Sequence, residues 1–137
     1  MLVGHKEKNF DIDLQYGNNG EQLVLSLLNG GKKIEVKTDR MAHKTGNIAI
    51  EFRCRGKLSG IATSEADYWA LVLADGSLTL FIKTEILKAI ARTYYVKGFI
   101  KQGGDGFASE MIIIPIKILI DEIIKCNFRE CSASCSL

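Results

Sequence analysis

Apolar and polar positions along the chain change period several times, and each change marks an element. From Glu21 the apolar residues Leu23, Val24, Leu27 and Leu28 recur at three- and four-residue intervals. That spacing predicts a short amphipathic helix entered from the turn Gly17-Asn18-Asn19-Gly20 and stopped at Asn29-Gly30-Gly31, with Glu21 in its first turn. Residues 33–38 and 47–54 instead alternate with period two, which predicts two strands paired as a hairpin through residues 40–46. In that pairing Ile34 and Val36 face the core with Ile48, Ile50 and Phe52. Glu35, Lys37, Glu51 and Arg53 then share the opposite face.

The chain beyond reads as a glycine-flanked flexible loop over 56–61 and a capped helical turn at Thr63–Asp67. A second hairpin follows over 68–82, turning at Asp75-Gly76, and then a helix of about two turns from Thr84 to Ala91. Tyr94–Val96 is expected as a brief edge strand and Gly98–Ser109 as a mobile, glycine-rich loop. Met111–Ile114 reads as a buried strand ended by Pro115, with a helix from Ile116 to Lys125. This order predicts a mixed α/β or α+β domain over residues 1–125 and a flexible Cys/Ser-rich tail over 126–137.

Composition changes this picture little. At 137 residues, 47% hydrophobic and 25% charged, one globular core is expected, burying roughly 70% of the unfolded surface. Met1–Lys8 turns charged before any apolar run develops, so no secretory signal is expected and the protein should stay where it is made, in the cytoplasm. The apolar run 111–124 is interrupted by Pro115, Lys117, Asp121 and Glu122 and is too short to span a membrane. Cys126, Cys131 and Cys135 lack zinc-ligand spacing.

Charge distribution matters more than the net +2. Residues 32–57 hold eight basic residues against Glu35, Asp39 and Glu51, a pattern that suits a phosphate-tracking surface as well as an ordinary solvated hairpin. Phosphodiester hydrolysis needs hard oxygen ligands for Mg²⁺ (or Mn²⁺) and a cation near the scissile phosphate. On a strand, Glu35 and Lys37 project to one side and supply both. Glu51, Glu21 and Asp39 are the further candidate ligands. Lys44, Arg53, Arg55, Lys57 and Ser59 are the candidate phosphate contacts.

Glu21 in a first helix followed by Lys33-Ile34-Glu35-Val36-Lys37-Thr38-Asp39 on a strand resembles the core of PD-(D/E)xK, restriction-endonuclease-like nucleases. The wider combination Glu35–Arg40, Thr45–Glu51, Gly56–Ile61 and Ala66–Trp69 is similar to small phage-type members, akin to Holliday-junction resolvases. The resemblance covers residues 17–73. It implies a central mixed sheet flanked by helices, Mg²⁺-dependent cleavage of duplex or branched DNA, and in some members a homodimer. It gives Glu21 and Glu35 metal-organising roles and Lys37 the role of assisting water attack. The family's Pro-Asp dipeptide is absent, which leaves open whether Glu51 or Asp39 replaces that acid, whether Glu35 takes its place with Glu51-Phe52-Arg53 as second half, or whether catalysis is lost. The alternative function is therefore a catalytically inactive nuclease-fold module that binds DNA or assists another protein.

Overall fold

A computed structural model describes the backbone of residues 3–126 and the side chains of residues 11–125. The cysteine-rich tail beyond Cys126 lies outside the described residues. The chain divides into two units, residues 1–33 and residues from Ile34 onward, described in turn.

The first unit is one helix, α1 (Val3–Leu28). It is much longer than the pattern from Glu21 predicts, because Ile12, Tyr16, Leu23 and Leu27 continue one helical stripe, at spacings of four, seven and four, straight through Gly17-Asn18-Asn19-Gly20. Glu21 is consequently an exposed mid-helix residue rather than a first-turn one. The stop falls where predicted. Gly30 adopts φ +75°, and the Gly31 amide donates to the Ser26 carbonyl at 3.0 Å, the six-to-one bond of a Schellman ending.

The described residues of the second unit form two sheets. Strand β1 (Ile34–Thr38) pairs in parallel with β4 (Tyr68–Leu73), which pairs antiparallel with β5 (Leu78–Lys83). The other sheet is antiparallel, in the order β3 (Lys57–Leu58), β2 (Asn47–Cys54), β7 (Ser109–Pro115), β6 (Ile100–Gly103). Among the described residues three helices complete it: α2 (Ala42–Thr45), α3 (Thr84–Val96) and α4 (Ile116–Cys126). The architecture is thus mixed α/β, a mixed sheet accompanied by helices.

The hairpin expected between residues 33–38 and 47–54 does not form; β1 and β2 belong to different sheets. The continuous apolar run of β4, buried on both faces, supplies β1 with a parallel partner, as such runs commonly do. Facing also inverts. Directly paired residues share a face, so Glu35 opposite Trp69 and Lys37 opposite Leu71 lie on the side of the core, while Val36 is 61% exposed.

The core joins Ile48, Ile50 and Ile114 from one sheet, Trp69, Leu71 and Ile82 from the other, and the stripe Leu87, Ile90, Ala91 and Tyr94 of α3. That stripe runs at i, i+3, i+4 and i+7, which carries α3 through Tyr94–Val96 in place of the expected edge strand. Residues 98–109 are likewise more ordered than their glycines suggest, since β6 pairs along β7. Residues 63–67 form no helical turn. Ser64 instead accepts the Trp69 indole N–H at 3.0 Å, satisfying the one polar atom of a buried ring. The Asp75-Gly76 hairpin, the β7 strand and α4 stand where the sequence places them.

Candidate functional site

Strand β2 is the backbone of the site. Its residues Ile48, Ile50 and Phe52 are drawn into the core by alternation, which turns Ala49 and Glu51 to the other face with Met111 and Ser109 of β7. Glu51 is half-buried there. Its two carboxylate oxygens accept the hydroxyls of Ser59 at 2.8 Å and Ser109 at 2.7 Å. Among the described residues it makes no salt bridge. A carboxylate held by two neutral donors keeps its negative charge uncompensated and one acceptor lone pair free on each oxygen.

Gly60 fixes the approach of the Ser59 loop. At φ +53° it passes so close to β2 that a Cβ would stand 2.1 Å from the Glu51 carbonyl oxygen. Residues 56–62 are therefore a built turn rather than a flexible loop. Cys54 pairs with Lys57, Arg55 and Gly56 make the connection at φ 50° and 78°, and residues 60–62 form a single 3₁₀ turn.

Asp39 follows β1 directly and reaches β2. Its Oδ1 accepts the Met41 and Ala42 amides at 2.9 and 3.0 Å at the entry to α2, and its Oδ2 accepts the Ala49 amide at 3.2 Å. Ala49 and Glu51 are two residues apart, about 6.6 Å of strand. Asp39 thus docks its carboxylate on the β2 amide two residues before Glu51.

Arg53 does not join them. The register of β2 on β7 slips between Glu51 and Arg53, so that Glu51 opposes Met111 while Arg53 opposes Glu110. This bulge at Phe52 turns Arg53 to the core side of the sheet. Its guanidinium carbon lies 5.9 Å from the Phe52 ring centroid, and its Nε stands 3.6 Å from Glu110 Oε2. Bulges re-aim side chains in this way, and period-two reading cannot see them.

Glu35 and Lys37 do stand together, with Nζ 3.1 Å from Oε1 and the ammonium 5.8 Å from the Trp69 ring centroid. No hydrogen bond or ion pair joins this pair to Glu51, Asp39 or Arg53 among the described residues. The single polar face expected from the hairpin is therefore divided: Glu35 and Lys37 on β1, Glu51 with Asp39 along β2, Arg53 on the far side. Lys44 lies exposed in α2, Arg55 and Lys57 exposed on the β2–β3 turn, and Ser59 is committed to Glu51. Glu21 belongs to the first unit. Sequence reading missed Ser109, whose contact with Glu51 spans 58 positions and leaves no local signal.

Among the described residues no group of three His, Cys, Asp or Glu side chains could hold an ion. A closed all-protein cage is therefore not built from them. Mg²⁺, however, typically takes one or two carboxylates and fills its octahedron with water and substrate phosphate oxygens. Asp39 and Glu51 meet that donor count, with the serine hydroxyls orienting Glu51 as outer partners orient metal-binding carboxylates.

No family model, curated protein or solved structure matches this chain. Among the described residues no helix is long and apolar enough to cross a membrane.

Proposed function

We propose that this chain is a restriction-endonuclease-like nuclease that hydrolyses DNA phosphodiester bonds with Mg²⁺ or Mn²⁺. The observation that carries this reading is the docking of Asp39 on the Ala49 amide beside Glu51, a half-buried acid with no cationic partner among the described residues. Of the arrangements that the missing Pro-Asp dipeptide leaves open, it favours Asp39 as the replacing acid and Glu51 as its companion. When bound, the ion would lower the pKa of water and polarise a phosphoryl oxygen.

The chain's own groups supply the remainder. Asp39 and Glu51 would hold the ion, and the hydroxyls of Ser59 and Ser109 keep Glu51 in one orientation. Lys37, two residues before Asp39, offers the ammonium for the scissile phosphate once it exchanges Glu35 for substrate. Lys44, Arg55 and Lys57 are exposed cations that suit backbone phosphates, whose neutralisation releases counterions.

The second reading is a DNA-binding or accessory module without hydrolysis. It is favoured by the hydrogen bonds already made by Asp39 and Glu51 and by the lack of a three-donor group among the described residues. Nicking of supercoiled plasmid in Mg²⁺ or Mn²⁺, compared with Glu51→Gln, separates the two. Hydrolysis lost in the variant supports the enzyme. Salt-sensitive binding with no hydrolysis in either protein supports the module.

A further inference from the structure

The bulge that removes Arg53 from Glu51 delivers it to a cleft between β2, β3 and α3. The cleft has a volume of about 340 Å³, at the lower end of the range for small-ligand sites, about 300–1,000 Å³. Phe52, Ile61 and Ile112, all buried, make its floor. Leu58 and Tyr95 flank it and are 58% and 42% exposed, apolar surface that the fold leaves in water. Arg53, Lys88 and Arg92 also line it, and no acid does.

These features converge on one ligand chemistry. Tyr95 meets Phe52 with ring centroids 4.9 Å apart and planes at 65°, an edge-on contact that fixes the tyrosine ring without covering both its faces. Arg53 keeps a buried Nε–H with no hydrogen-bond acceptor, its ion-pair partner Glu110 standing 3.6 Å away on the neighbouring strand. Lys88 gives one of its three N–H groups to the Ser64 carbonyl at 3.0 Å and has two more. A fixed aromatic face beside several cations is the arrangement by which proteins hold single-stranded nucleic acid, stacking a base and tracking its phosphates. A paired base inside a duplex keeps its faces stacked and cannot enter such a cleft.

We propose that this cleft receives an unpaired nucleobase of a single-stranded, frayed or branched DNA, stacked on Tyr95 with its flanking phosphates on Arg53, Lys88 and Arg92. This rests on the reading of DNA as the substrate and narrows it to DNA with an unpaired nucleotide. The cleft lies on the core side of β2, opposite the Glu51 face, so it acts as an anchoring site rather than as part of the hydrolytic centre.

The test is fluorescence anisotropy of a labelled oligothymidylate and of a blunt duplex of equal length, with the full chain in chelator-containing buffer. The single strand should bind more tightly than the duplex. Tyr95→Ala should weaken single-strand binding roughly fivefold or more, while Tyr95→Phe keeps it. Arg92→Gln, an exposed change that serves if Tyr95→Ala fails to fold, should lower the salt slope by about one. Equal affinity for both DNAs with no response to Tyr95→Ala or Arg92→Gln overturns the proposal. So does displacement of the oligonucleotide by dodecanoate but not by thymidine monophosphate, which would mark a site for apolar carboxylates. Because no divalent ion is present, loss of plasmid nicking and loss of this binding are separate outcomes.

Discussion

Glu51 and Arg53 are two residues apart on one strand and point to opposite faces of its sheet, because the strand bulges at Phe52. The strand thereby serves two surfaces, one bearing an uncompensated carboxylate and the other a cation beside an aromatic cleft. Substitutions at the two positions should separate. Glu51→Gln should cut Mg²⁺-dependent hydrolysis about 100-fold or more while leaving metal-free DNA affinity unchanged. Arg53→Gln should weaken metal-free DNA binding and reduce its salt slope by about one. Plasmid nicking and anisotropy on both variants check the split.

Asp39 carries structural weight whatever its chemistry. Asp39→Ala removes the acceptor for the Met41, Ala42 and Ala49 amides, and should cost about 1–2 kcal/mol, as loss of intramolecular hydrogen bonds typically does. Asp39→Asn keeps one acceptor oxygen and should cost less. Urea denaturation orders the three proteins.

The Glu35–Lys37 pair is half-exposed, with side-chain accessibilities of 39% and 48%. Exposed pairs contribute little, so a double-mutant cycle with Glu35→Gln and Lys37→Met should give a coupling energy below about 1 kcal/mol. A larger value would mean that the pair is held for structure, against a role in which Lys37 must leave Glu35 for phosphate.

Gly60 admits no side chain. Gly60→Ala would drive a methyl into the Glu51 backbone at a left-handed φ, and should destabilise the fold by at least about 2 kcal/mol. Equilibrium unfolding measures this directly. An unchanged midpoint would show that the Ser59 loop is not clamped on β2.

Much of this architecture is written in local pattern. The end of α1 at Gly30, the Asp75-Gly76 hairpin, β7 and α4 follow from capping, turn chemistry and periodicity. What local pattern misstates is pairing. Alternation reports that residues 33–38 and 47–54 are strands and says nothing of their neighbours, so the hairpin inferred from proximity gives way to the pull of an apolar β4 on β1. The site suffers twice from this. A one-residue bulge sends Arg53 away from Glu51, and reading Tyr94–Val96 as a strand hides the face on which Lys88, Arg92 and Tyr95 recur at helical spacing. Glu35 beside Lys37 was legible because it depends on neighbours in sequence alone, whereas the clamped turn at residues 56–62 was not, because it depends on the approach of Gly60 to the Glu51 backbone.

Isothermal titration of the full chain with Mn²⁺ tests the central claim most directly. Wild type should bind the ion, Glu51→Gln should lose that binding, and Glu35→Gln should retain it. Equal binding by wild type and Glu51→Gln, or no binding by either, would contradict a metal-dependent nuclease centred on Glu51.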